Sequence, residues 1–200
     1  MNKNNITDYE SWQKQLRSCD VCGLAHTRQN VVCGEGSPGA TIALIGEAPG
    51  REEDKSGFPF AGKAGSILNE FLADSGIRRE SLYIGNTVKC RPVAMGKKGY
   101  INRKPSKEEI AACRPHLEAE MRFIRPLLVV TLGAVPLAAF CGFNPVMRDM
   151  HGQPFFSTDF NVEVFPLYHP AAIIYDPEKR VEYETDMLKL KHKLQITKYK

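Results

Sequence analysis

Residues 41–54 read TIALIGEAPGREED, an apolar run of strand length that ends in an abrupt polar turn. Three further apolar runs begin near residues 81, 127 and 162, and helical patterns separate most of the runs. Continuous apolar strands that alternate with helices are typical of a parallel sheet covered on both faces. The sequence therefore predicts an α/β fold with four parallel strands and helices on each side of them.

Composition places the chain among ordinary globular proteins. It has 200 residues, of which 42% are hydrophobic and 25% charged, so we expect one domain that spans residues 1–200. No apolar run approaches the ~18–20 residues that a membrane span needs, and the first residues are polar. We therefore expect a soluble, intracellular (cytoplasmic) protein. The net charge of +4 permits a polyanionic partner without indicating one.

Local signals define further elements. Thr7 with Glu10 and Ser106 with Glu109 have the capping-box spacing that starts a helix. Pro115 is expected to break or restart the second of these helices. The segment 90–105 contains two glycines and two prolines, and it is predicted to be a loop.

Three polar side chains follow the predicted strands. Glu47 leaves the first strand, Asn86 ends the second and His169 ends the fourth. Ligands of parallel α/β sheets bind outside the carboxyl ends of the strands, so we expect these side chains to meet at one edge. Each also has a structural alternative: Glu47 and Asn86 as caps, and His169 as a histidine bonded to backbone. The GEAPG turn, residues 46–50, lacks the P-loop lysine, so nucleotide binding is only weakly indicated.

Six cysteines occur in a chain that shows no secretory signal, so metal binding or core packing is favoured over disulfides. Cys19 and Cys22 form a C-x-x-C pair, and 22 residues separate Cys90 from Cys113. These four could form a zinc site or an iron–sulfur cluster, and spacing alone leaves both open, as well as thiol redox chemistry. Cys33 and Cys141 are expected in the core.

Several motifs occur in an order that resembles one family. They are GEAPGREEDKSGFPFAGKAGSIL, IGNTVKCRP, NRKPSKEEIAAC, LLVVTLGA and YHPAA. Together they resemble family 4 uracil-DNA glycosylases, the iron–sulfur branch of that superfamily, from about Cys19 to the last helix. The resemblance implies a three-layer α/β/α sandwich with a four-stranded parallel sheet. It implies a [4Fe–4S] cluster, which we expect to be structural, on Cys19, Cys22, Cys90 and Cys113.

The resemblance also implies the activity and its residues. It implies a DNA repair hydrolase that flips uracil out of single- or double-stranded DNA and cleaves its N-glycosidic bond. The predicted uracil-binding residues are Glu47, Ala48, Phe60, Asn86 and His169. His169 is expected to donate to uracil O2, while Glu47, with Glu53 as a second candidate, is expected to position water or stabilise the cationic sugar.

DNA contacts are predicted from the basic residues Lys89, Arg91, Arg103 and Lys104, and the chain is expected to act as a monomer. Two features depart from relatives. Ala48 stands where better-known relatives carry an aspartate. The loop after Cys90 is lengthened by the residues VAMGKKGY. This loop contains no histidine, so covalent capture of DNA is not expected. Two alternatives stay open: a non-catalytic nucleic-acid-binding relative, and a zinc-stapled nucleotide-binding or hydrolase domain.

Overall fold

The central sheet contains five strands in the computed structural model, which describes residues 8–176 and 178–196. The strands are β1 (Ile42–Gly46), β2 (Tyr83–Asn86), β3 (Val93–Gly96), β4 (Gly99–Asn102), β5 (Leu128–Leu132), β6 (Phe155–Ser157) and β7 (Val162–Leu167). The order in the central sheet is β2-β1-β5-β7-β6, and a separate hairpin pairs β3 with β4.

Helices occupy both faces of this sheet. They are α1 (Tyr9–Arg17), α2 (Arg51–Ser56), α3 (Lys63–Asp74), α4 (Lys107–Ile124), α5 (Ala134–Cys141), α6 (Met147–Met150), α7 (Ala172–Tyr175) and α8 (Glu178–Ile196). Short 3₁₀ turns lie at Gly23–His26 and Arg79–Ser81. Among the described residues, no helix is long and apolar enough to cross a membrane.

The alternation of side chains along β1 separates two cores. Leu44 belongs to a cluster that includes Leu68 and Phe71 of α3 and Met187 of α8. Ile45, which points to the opposite face, packs in a second cluster with residues of α4 and α5 such as Leu117, Met121 and Phe140. The predicted α/β/α layering is therefore confirmed.

The predicted number of strands is wrong. β1, β2, β5 and β7 are parallel, as expected, but β6 adds an antiparallel fifth strand at the edge beside β7. Its three residues are too short for a periodic signal, so only the pairing with β7 specifies it. Residues 93–102, predicted as loop, instead form the β3–β4 hairpin.

The predicted break or restart of the helix at Pro115 is wrong, and the predicted cap Thr7 is replaced by Asp8. Helix α4 is continuous over Pro115, which lies exposed on the side away from buried Leu117 and Met121. Packing of the buried face compensates for the lost hydrogen bond. Thr7, a predicted helix cap, lies outside the described residues, and Asp8 caps α1 by accepting from the Ser11 amide at 2.7 Å.

Candidate active site

A cleft of about 430 Å³ lies at the carboxyl ends of the parallel strands. Glu47 after β1, Asn86 at the end of β2 and His169 after β7 all line it. The predicted convergence of these side chains is confirmed, since parallel strands present their carboxyl ends at one edge. Ala48, Glu53 and Phe60 line the same cleft.

Hydrogen bonds extend beyond β1 and β2 and hold the turn against the second strand. The Thr87 amide donates to the Gly46 carbonyl at 2.8 Å, and the Val88 amide donates to the Glu47 carbonyl at 3.0 Å. The Thr87 hydroxyl also donates to Gly46 at 2.9 Å. The GEAPG turn is therefore fixed beside Asn86.

Asn86 supplies a buried amide that is free to bind a ligand. The residue is 3% exposed, and its side chain forms no hydrogen bond within the described part of the chain. Its own carbonyl accepts from Lys89 Nζ at 2.6 Å, which anchors the residue through its backbone. Because Asn86 lines the cleft, its amide can meet a ligand that offers one donor and one acceptor.

Hydrogen bonding determines the tautomer of His169. The Ala171 amide donates to His169 Nδ1 at 3.2 Å, so Nδ1 is an acceptor and the neutral ring carries its proton on Nε2. Burial lowers the pKa of His169 below its usual value, against an opposing effect of Glu53. The side chain is thus a neutral imidazole whose Nε2–H donates to no residue in the described part of the chain.

Phe60 is held in an unusual backbone conformation. Its φ is +53°, in the left-handed region that side-chain-bearing residues seldom adopt, and the residue is 7% exposed. The ring lies 6.0 Å from the His169 ring, with 26° between the planes. Gly65 in α3 makes this conformation possible, because a Cβ there would overlap the Phe60 carbonyl.

The two predicted catalytic carboxylates have different surroundings. Glu53 uses both oxygens as acceptors, Oε2 from the Gly50 amide at 3.1 Å and Oε1 from the Gly62 amide at 2.9 Å. It therefore ties the GEAPG turn to the start of α3. The Glu47 carboxylate accepts no hydrogen bond from the described residues, and burial raises its pKa, an effect that Lys104 partly offsets.

The predicted DNA-contacting residues separate into two groups. Arg103 lines the cleft in a bidentate pair with Glu109 (2.7 and 2.6 Å), and Lys104 is exposed. Arg91 is 8% exposed, and its Nε donates to Asn102 at 2.7 Å. Lys89 is buried in an ion pair with Glu120, so the prediction that it contacts DNA is wrong.

The four cysteines predicted to bind a metal line one small cavity between α1, α4 and the segment after β2. Within the described residues, no group of three or more potential ligands has ready metal-binding geometry. Burial raises the pKa of Cys90 to about 11 and that of Cys113 to about 12, so these thiols need a cation to ionise.

Donors surround the sulfur atoms of this cavity. Arg28 donates to Cys90 at 3.5 Å, the Lys89 amide donates to Cys113 at 3.3 Å, and His116 Nε2 lies 3.2 Å from Cys19. Such donors stabilise metal-bound thiolates, so the residues fit an iron–sulfur cluster or another thiolate-bound metal. Of the remaining cysteines, Cys33 is buried as expected, whereas Cys141 is only partly buried.

Sequence reasoning missed two parts of the site. Asn102 and Pro92, from the base of the β3–β4 hairpin, line the cleft, and only the pairing of the two strands brings them there. Lys89 and Glu120 were also missed as a pair. The one signal was Glu120, which falls on the same face of α4 as the apolar residues Leu117, Met121 and Ile124.

Comparison with known proteins identifies the family and agrees with this fold. A sequence model described as the uracil DNA glycosylase superfamily matches residues 33–195, so the chain belongs to that superfamily. It is 40% identical to a type-4 uracil-DNA glycosylase of Archaeoglobus fulgidus, over 88% of each chain. It is 42% identical to the type-4 enzyme of Thermotoga maritima over 80% of each chain. The type-4 enzyme of Sulfurisphaera tokodaii is 37% identical over 91% of this chain and 83% of its own. The resemblance to family 4 is confirmed.

Proposed function

We propose that this uracil-DNA glycosylase binds a uracil flipped out of DNA between Asn86, Phe60 and His169, and hydrolyses its N-glycosidic bond. The observation that carries the assignment of the site is the unpartnered amide of Asn86 in a cleft that also holds a neutral imidazole. A base within a duplex is out of reach of such a cleft, so the nucleotide must leave the stack.

Base selection is assigned to Asn86. Uracil offers O4 as an acceptor and N3–H as a donor, and one amide satisfies both. Cytosine reverses this pattern and would leave buried polar groups unpaired, which rejects it strongly. Phe60, locked by its backbone, supplies a face for stacking, and Ala48 leaves room beside the base.

Leaving-group stabilisation is assigned to His169. Cleavage of the bond between N1 and the sugar C1′ leaves the electron pair on the base, largely at O2 and O4. A preorganised Nε2–H donor near O2 stabilises that charge, and donors of this kind contribute roughly 3–4 kcal/mol. Water supplies the hydroxyl at C1′ and a proton for the departing base, so the products are an abasic site and free uracil.

Stabilisation of the cationic sugar is assigned to Glu47. Glycosidic cleavage gives the sugar oxocarbenium character, which a nearby carboxylate stabilises while it also orients water. The carboxylate oxygens of Glu47 accept nothing from residues 8–176 and 178–196, whereas both carboxylate oxygens of Glu53 accept from backbone amides. Glu53 is therefore proposed as a positioning residue, in place of the catalytic role expected from sequence.

Cys19, Cys22, Cys90 and Cys113 are proposed to hold a [4Fe–4S] cluster. A cluster there would tie α1 and α4 to the segment that follows Asn86, and metal binding of this kind stabilises a fold. Because the reaction transfers no electrons, the role of the cluster is structural. Arg103 and Lys104 are proposed as DNA contacts. We further propose that the enzyme is a monomer with a single domain and that it acts inside the cell, where DNA is found.

The test is cleavage of an end-labelled oligonucleotide that contains one deoxyuridine, single- or double-stranded, followed by alkali. Scission at the uracil position is expected, with none at cytosine. Asn86→Ala should lose most activity while DNA affinity stays within a few-fold. Asn69→Ala, an exposed asparagine on α3, is the matched control. An intact strand with wild-type, iron-loaded protein would overturn the proposal.

A further inference from the structure

The β3–β4 hairpin projects apolar side chains into solvent beside the active-site cleft. Met95 and Tyr100 are directly opposite each other in the strand register and are 74% and 53% exposed. Directly opposed residues share a face, and so do residues two apart on one strand. Tyr100 therefore lies on the same face as Asn102, which lines the cleft.

The base of the hairpin is fixed to the rest of the protein. Arg91 donates to the Asn102 side chain at 2.7 Å, and Arg103 Nε donates to the Val93 carbonyl at 2.9 Å. The bidentate pair of Arg103 with Glu109 links this base to the first turn of α4. The hairpin therefore holds its exposed face in a set position relative to the cleft.

The hairpin is also strongly basic. Residues 81–107 contain seven Lys or Arg residues and no Asp or Glu. Lys97 and Lys98 form the turn, and with Lys104 they are exposed and make no salt bridge to any residue in the described ranges. An exposed aromatic flanked by free cations is typical of surfaces that bind single-stranded nucleic acid, where bases stack and lysines meet phosphates.

We propose that this hairpin binds the DNA strand next to the flipped uracil. Tyr100 stacks on a neighbouring base, Met95 covers its edge, and Lys97 and Lys98 contact the phosphates. This inference rests on the proposed function, because the cleft defines where the uracil lies. The lengthened loop of this chain thus forms a binding surface for the DNA strand.

The first test uses a single-stranded oligonucleotide with 2-aminopurine on one side of 2′-fluoro-2′-deoxyuridine, which resists cleavage. Both flanking positions are examined. Wild-type protein should quench the fluorescence at one position, because stacking quenches 2-aminopurine. Tyr100→Ala should abolish the quenching and weaken binding about 5- to 100-fold, while Tyr100→Phe retains both. Phe143→Ala, an exposed aromatic far along the chain, is the matched control.

The second test measures charge and turnover. Lys97→Ala/Lys98→Ala should lower the salt dependence of binding by roughly 1.4 in log–log slope. Lys14→Ala, at an exposed position on α1, should leave it unchanged. Tyr100→Ala should raise KM for uracil DNA and leave kcat within about twofold, since Tyr100 lies outside the cleft lining.

Unchanged quenching, affinity and KM in Tyr100→Ala would overturn the inference and favour a protein partner for this face. That result would leave the proposed function standing, because wild-type protein would still cleave uracil DNA. Conversely, wild-type protein that quenches and binds but never cleaves would contradict the proposed function and support the strand-binding hairpin.

Discussion

Lys89 and Glu120 form an ion pair of 2.6 Å in which both side chains are at most 1% exposed. The Lys89 ammonium also donates to the Asn86 carbonyl at 2.6 Å, and the other Glu120 oxygen accepts from the Tyr83 hydroxyl at 2.7 Å. The backbone amide of Lys89 donates to Cys113. One residue thereby links Asn86 to α4 and to the cysteine cavity.

Breaking this pair should destabilise the protein. Lys89→Met leaves a buried carboxylate without a counter-charge, which costs about 3–5 kcal/mol of unfolding free energy. The double variant Lys89→Met/Glu120→Gln removes the charge and should recover much of the loss. Urea denaturation measures both, and iron content measured alongside separates loss of a cluster from loss of the pair. Equal stability of Lys89→Met and wild type would contradict the prediction.

A methyl group at position 46 should damage base binding selectively. A Cβ on Gly46 would overlap Asn86 Oδ1 and lie 2.7 Å from Phe60 Cζ. Gly46→Ala must therefore displace the amide or the ring, and displacements of about 1 Å cost roughly 10²-fold in rate. Gly39→Ala, whose Cβ would meet only Ser37 Oγ at 3.8 Å, is the matched control. Steady-state cleavage of uracil DNA reports the effect, and wild-type rates in Gly46→Ala would refute it.

The contribution of His169 should depend on the leaving group. His169→Ala removes the Nε2–H donor and should reduce kcat by about 10²- to 10³-fold. 5-Fluorouracil leaves as a more stable anion, so its cleavage should suffer less from the same substitution. Single-turnover rates on both substrates give the comparison. An equal loss on both would show that His169 does not act on the leaving base.

Activity should fall in acid because Glu47 must be ionised. Burial raises its pKa above the usual 4.5, so the acid limb of kcat should lie above that pH, with activity lost as the pH falls through it. Lys104→Ala should move the limb upward, since Lys104 lowers that pKa. Glu47→Gln should abolish the acid limb of kcat together with most of the activity. Glu70→Gln, at an exposed position on α3, should change neither the acid limb nor the activity. A limb unaffected by Lys104→Ala would contradict this assignment.

Removal of a cavity cysteine should release metal. Cys113→Ser should lower iron content and visible absorption and reduce thermal stability, because the proposed ligand set loses a buried sulfur. Cys141→Ser, outside the cavity, should retain all three properties. Elemental analysis measures the outcome, and zinc in place of iron in the wild-type protein would identify the other metal that the cysteine spacing allows.

Much of the site was predictable from local patterns. The apolar runs and the turns after them indicated parallel strands whose ends bring together Glu47, Asn86 and His169, and the structure confirms that meeting. The order of motifs indicated the family, which the comparisons confirm. These properties depend on neighbours in sequence or on the geometry that all parallel sheets share.

Other properties depend on residues far apart along the chain. From sequence, Lys89 is expected to be an exposed cation. It is buried instead, because the packing of α4 on the sheet places Glu120 beside it as a counter-charge. The surroundings of Glu53 and Glu47 differ because Gly50 and Gly62 both direct their amides at Glu53. The sequence by itself determined the strands, the turns and the supply of chemical groups. Tertiary structure decided which charges lose water and which donors stay free, because burial and hydrogen bonding arise only when distant segments pack together.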